Sequence, residues 1–183
     1  MAVPHPAPPA LLVLAVTTAP SVSENAVTDA LVAEWGAVAH GSDAYDFDTF
    51  TDYYAPEMGR GLCKRLVVFQ KSVHPDQIAS VKMTANRLER LWCDVAGRRQ
   101  VNLDPGYLTP GALVLASTKP ASHRIYLRDG IHAEVTLRYE RGTYEPLAWT
   151  YPDFRQPMIR DFLSRLRPAA LALERTGQQG TEQ

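Results

Sequence analysis

The chain is poor in the residues that mark several functional classes. Its 183 residues include two cysteines, Cys63 and Cys93, and these lack CxxC spacing, so neither a disulfide framework nor a zinc knuckle is indicated. Reduced thiols and a cytoplasmic location are the default expectation. No apolar run approaches the roughly 20 residues that span a bilayer. The run from Ala10 to Val16 has no basic flank and reads as a buried first strand, not a signal peptide, so no membrane partner is expected. The phosphate cradle GxxxxGK[ST] is missing, as are HExxH, GxSxG, GxGxxG after a strand and the aromatic RNA-binding signature.

Charge of one sign is absent from the first third. Residues 1–59 contain no lysine or arginine and eight acids, whereas the other 124 residues carry 19 bases against 12 acids. The two parts either pack side by side or each face a ligand or partner. The net charge of −1 leaves few phosphate contacts available, so duplex nucleic acid is not an expected partner.

What is present is enough apolar residue, 45%, for one core. The expected organisation is a flexible lead over 1–10, a single domain over 11–175 and a disordered tail over 176–183. Leu11 to Thr17 reads as a central strand. Ser21 and Glu24 form a capping box for a helix carrying Val27, Leu31, Trp35 and Val38. Residues 45–54 and Leu62 to Phe69 read as two strands. His74-Pro75-Asp76 starts a second helix that ends near Gly97, with Ile78, Val81, Ala85, Leu88, Trp92 and Val95 as its stripe. A strand over 100–108 is expected to break at a turn over Asp104-Pro105-Gly106.

Strands over 113–117, 123–127, 131–139 and 143–150 follow, with tight turns at Asp129-Gly130 and Arg141-Gly142. A last helix is interrupted at Pro168. The fold class is therefore α+β: a ferredoxin-like βαββαβ half extended by a C-terminal antiparallel β-meander and a closing helix.

Several segments are recognisable together. Tyr53-Tyr54 with Glu57-Met58-Gly59, Asn102-Leu-Asp-Pro-Gly-Tyr107, Val114-Leu-Ala-Ser-Thr-Lys119, His123-Arg-Ile-Tyr-Leu127, Ala133-Glu-Val-Thr-Leu137 and Trp149-Thr-Tyr-Pro-Asp153 closely resemble the bacterial family catalogued as domain of unknown function 4416. The resemblance runs from about Leu11 to Arg167. Some members carry a GTP-binding label, which the missing phosphate cradle does not support.

Looser clusters supply the candidate chemistry. Asp43, Asp46 and Asp48 offer oxygen to a hard cation, but in a strand Asp43 faces away from the other two, so a loop role is expected and no metal site is assigned. Lys82, Asn86, Glu89 and Cys93 form a polar stripe beside the apolar face of the second helix, either a structural network or the wall of a ligand cleft. Lys64, Arg65, Lys119, Arg124 and Arg155 suit an anion, or alternatively salt bridges to the acidic first third. Tyr107, Tyr126, Trp149 and Tyr151 either stack a ring or belong to the core.

The hairpin register places Glu134 between Ile125 and Trp149, with Trp149 directly opposite and His123 diagonally adjacent. A carboxylate among apolar neighbours with one imidazole in reach suits acid–base catalysis, or is a buried structural residue. The resulting expectation is an enzyme that binds a small anionic metabolite or nucleotide. Glu134 and His123 would be catalytic, and Lys64, Lys119, Arg124, Tyr126, Trp149 and Arg155 would bind the ligand. The alternative is a non-catalytic regulatory or protein-interaction module. A cleft lined by basic residues and the Glu134/His123 pair favours the first, and an exposed apolar face favours the second. No cofactor is indicated.

Overall fold

The computed structural model describes residues 4–179. The described residues build nine strands: β1 Ala10–Thr18, β2 Val38–Gly41, β3 Tyr45–Asp46, β4 Cys63–Val73, β5 Val101–Leu108, β6 Ala112–Ser117, β7 Ile125–Arg128, β8 Ile131–Glu140 and β9 Thr143–Pro146. Four helices join them: α1 Glu24–Trp35, α2 Ala55–Met58, α3 Ile78–Glu89 and α4 Pro157–Gln179. One antiparallel sheet runs in the order β2-β4-β1-β5-β6-β8-β7, with β3 added to β4 and β9 to β8. The class is α+β. The first three residues of the expected lead and residues 180–183 of the expected tail lie outside the described residues.

The apolar run of β1 is continuous because the strand is covered on both faces, and all nine of its residues are buried. Leu12, Leu14 and Val16 pack with Val27, Leu31 and Trp35 of α1 and with Ile78, Val81 and Ala85 of α3. On the other face Leu11, Val13 and Ala15 meet Ile159, Phe162, Leu163 and Leu166 of α4. A third cluster, Ala19, Phe47, Met58 and Leu62, lies at one end and supports the loop between β3 and β4.

Several local expectations are corrected. Ser23, not Ser21, caps α1 and accepts from the Ala26 amide at 3.4 Å, while Ser21 donates to Gln100 at 3.2 Å. Residues 45–54 are not one strand. Asp46 accepts from the Asp48 amide at 2.9 Å and caps a 3-10 turn over Phe47–Thr49, a local hydrogen bond that outcompetes the ladder. Only Tyr45–Asp46 (β3) of that segment pairs with β4, and the rest of that edge is the short, mostly exposed β2. The second helix stops at Glu89, and its apolar stripe continues through a 3-10 turn over Arg90–Trp92, so the pattern outruns the helix. Pro168 does not interrupt α4. An interior proline costs about 3 kcal/mol, and buried Leu163, Leu166 and Ala170 on either side offset it.

The two tight turns form as expected, with positive φ at Asp129, Gly130, Arg141 and Gly142. The registers around them are shifted. Leu127 is bulged out of β7, so Ile125 faces Ala133 and not Glu134. The β6–β8 pairing skips Thr136 between Leu113↔Leu137 and Val114↔Val135. The Thr136 carbonyl takes the Thr150 hydroxyl instead of a ladder partner, so β9 ends at Pro146, opposite Leu137. Arg138 lies opposite Glu145 as expected, yet Arg138 bonds Glu140 and Glu145 bonds Arg160.

Candidate functional site

The site exists because two neighbouring strands part. β5 and β6 pair at Leu108↔Leu113, Tyr107↔Val114 and Gly106↔Leu115, and no further. From Pro105 back to Val101, β5 keeps β1 on one side and, among the described residues, has no strand on the other. Asp104-Pro105-Gly106 is thus part of an unbroken strand, not a turn, and each residue suits the parting. Gly106 is required where β6 crosses, because a Cβ there would lie 2.2 Å from the Val114 carbonyl oxygen. Pro105 has no N–H to leave unpaired on the vacant side.

In the hairpin, the Thr109 amide donates to the Ala112 carbonyl. Alternation along an antiparallel ladder then turns the amide and carbonyl of residue 103 toward the vacant side as well. Both are satisfied by α3. The Leu103 amide donates to Glu89 at 2.8 Å, and Lys82 Nζ donates to the Leu103 carbonyl at 2.7 Å. The polar stripe of α3 therefore stands in for the missing strand, apart from Cys93, which lies beyond the helix end.

The gap is a cleft of about 400 Å³, a size suited to one small molecule. Phe47, Phe50, Tyr53 and Tyr54 wall one side, and Tyr151 to Phe154 wall another. Asn102 and Asp104, two apart on β5, both face into it. Sequence reasoning missed this pair by placing Asp104 in a turn, although the alternation was the available signal.

Four of the five cations lining the cleft are paired. Lys64 donates to Asp153 at 2.6 Å beneath the Phe47 and Phe154 rings. Lys82 meets Asp104 at 3.0 Å. Arg99 contacts Glu57 at 2.7 Å and Glu89 at 2.9 Å, and Arg124 contacts Glu134 at 2.8 Å. Lys119 has no carboxylate within 4.0 Å among the described residues. It donates to the Tyr53 hydroxyl, with its ammonium 4.2 Å from that ring's centre. Burial pushes the Asp104 carboxyl up, but the nearby Lys82 and Lys64 ammoniums prevail and hold it below the ordinary range. Burial raises the Tyr54 hydroxyl, and it pushes the Tyr151 hydroxyl up to about 12.

Glu134 is 3% exposed at the inner end of the cleft. Its Oε2 lies 3.0 Å from His123 Nε2 and accepts from Arg124 Nε at 2.8 Å, while Oε1 takes the Thr136 hydroxyl at 3.4 Å. The remaining donors of Arg124 reach Ser117 at 3.0 Å, the Lys119 carbonyl at 2.8 Å and the Tyr151 hydroxyl. Four of its five N–H donors are thus engaged within the protein. Sequence reasoning had not paired Arg124 with Glu134.

Of the residues singled out from sequence, Lys64, Lys82, Asn86, Lys119, Arg124, Glu134 and Tyr151 line the cleft. The structure does not bring His123, Tyr126, Trp149 or Arg155 into its wall. His123 stands behind Glu134, stacked on Trp149 with ring centres 5.2 Å apart. Trp149 is not opposite Glu134. It donates to the Val135 carbonyl at 2.9 Å. Tyr126 lies on the exposed β7 against His132. Arg155 holds the loop before it through the carbonyls of Leu147, Ala148 and Thr150.

The acidic first third contributes few direct pairs. Among the described residues only Glu24 and Glu57 of that segment meet a base, Arg65 and Arg99. Asp46 and Asp48 bond backbone amides instead. No cluster of three or more potential metal ligands occurs among the described residues, and no helix there is long and apolar enough to cross a membrane.

A family model described as Domain of unknown function (DUF4416) matches residues 8–169. No curated protein and no solved structure matches the chain.

Proposed function

The chain belongs to the DUF4416 family, whose description names no activity, and from the cleft itself we propose that the protein binds and acts on a small anionic metabolite or nucleotide. One observation carries this reading: among the described residues Lys119 is the lining cation with no carboxylate within 4.0 Å, next to four that are paired. A ligand anion completes its pairing. The aromatic wall of Phe50, Tyr53 and Tyr54 offers a face for an apolar or ring-bearing portion.

Glu134 is the acid–base group in this reading. Oε2 is occupied by His123 and Arg124, and Oε1, which accepts only the long 3.4 Å bond from the Thr136 hydroxyl, has a lone pair for a substrate proton. His123, with 24% of its side chain exposed, links the carboxylate to the outer surface, as a proton relay requires. The β1–α1–β2–β4–α3–β5 unit is read as a ferredoxin-like half, supported by its β2-β4-β1-β5 order, and the reading places the protein in the cytoplasm. That scaffold by itself implies no chemistry.

The test is a thermal-shift panel of phosphorylated metabolites, nucleotides and carboxylates. Stabilisation by some of them, followed by turnover that Glu134→Gln abolishes in a folded protein, is expected. Absence of any stabilising anion overturns the reading. A second reading, a protein-interaction module without catalysis, is favoured by β7, an edge strand with Ile125 74% and Tyr126 60% exposed. Self-association that is lost on Ile125→Lys would support it.

A further inference from the structure

Resting on the anionic-ligand reading, we propose that the ligand also carries a planar amide-type edge, a hydrogen-bond donor beside an acceptor, which enters the opening between β5 and β6 and is read by Asn86. Lys82, Asn86 and Glu89 form one row on α3, spaced by four and three residues, along the vacant edge of β5. The outer two hold the carbonyl and amide of Leu103. Asn86, between them, lines the cleft, and its carboxamide has no hydrogen-bond partner among the described residues. A carboxamide presents a donor and an acceptor side by side, and leaving both unpaired beneath a bound ligand is costly.

The opposite side of the opening offers the same pattern. Alternation along β6 that turns Ala112 and Val114 toward β5 also turns the N–H and C=O of Ala116 that way. Ala116 lines the cleft. The β5 residue across from it in a continued ladder would be Pro105, which has no N–H to give. Two donor–acceptor pairs thus face one narrow opening beside an aromatic wall. An amide or lactam group complements them, whereas a ligand that is only a phosphate or carboxylate leaves them unpaired.

Calorimetry with two matched pairs of probes tests this. Orotate and benzoate are ring carboxylates that differ in the lactam edge, and uridine 5′-monophosphate and ribose 5-phosphate differ in the base. The expected result is that, in at least one pair, the amide-bearing member binds about tenfold tighter, and that Asn86→Ala removes the difference while leaving the partner probe's affinity unchanged. Alanine favours the helix, so the variant keeps α3. Equal affinities within both pairs, or a preference that survives Asn86→Ala, overturn the inference while the anionic-ligand reading stands. If none of the four probes binds, that reading and the inference fall together.

Discussion

Glu89 accepts the amide of Leu103 at 2.8 Å, a hydrogen bond that a neighbouring strand makes elsewhere in the sheet. The same carboxylate holds Arg99 at 2.9 Å, so one buried side chain completes β5 and braces the floor of the cleft.

Glu89→Ala leaves a buried amide and one guanidinium contact without a partner. A loss of about 3 kcal/mol is expected by urea denaturation. Glu89→Gln keeps an acceptor for Leu103 and loses less than half of that.

Much of the architecture is legible in the sequence, where a pattern has one physical reading. The unbroken apolar run of β1 requires cover on both faces, and two turns with glycine at their second central position fix hairpins wherever the strands lie. Other features depend on distant partners. The Asp104-Pro105-Gly106 triplet carries the local chemistry of a turn, and only the crossing of β6 over Gly106 and the helical side chains on Leu103 make it a strand. The register at Glu134 was hidden because bulges at Leu127 and Thr136 leave no local mark. Of the cleft, the cations Lys64, Lys82, Lys119 and Arg124, the carboxylate of Glu134, and Asn86 and Tyr151 could be named from sequence. That Arg124 is bound to Glu134, and so is not an open fork, follows only from the fold.

Arg124 organises the inner end of the cleft through Glu134, Ser117, the Lys119 carbonyl and Tyr151. Arg124→Lys keeps the charge but cannot span these acceptors, so both Arg124→Lys and Arg124→Ala are expected to destabilise the protein, the alanine variant by about 3 kcal/mol because Glu134 loses its buried cation. Chemical denaturation of the two variants checks this. An unchanged midpoint in both contradicts it.

Stability should also depend on Asp104 at acid pH. Its carboxyl is held below the ordinary value in the folded protein, so below roughly pH 4 the unfolded chain takes up the proton first. The stabilisation is complete above that pH and is lost as the pH falls through the lowered folded value. Glu57, held low by its hydrogen bond to Arg99, adds to the same limb. Melting temperatures between pH 2 and pH 6 should fall less steeply for Asp104→Asn than for the parent protein.

If Lys119 receives the anionic part of a small ligand in the cleft, the affinity for ribose 5-phosphate, measured by calorimetry on the parent protein, Lys119→Ala and Lys71→Ala, reports it. Lys71 is an exposed residue of β4 that does not line the cleft. Removing one charged hydrogen-bond donor should weaken binding by tenfold or more, so Lys119→Ala is expected to lose the ligand while Lys71→Ala binds like the parent. Equal affinity in all three proteins shows that the anion is held elsewhere and overturns the role of Lys119.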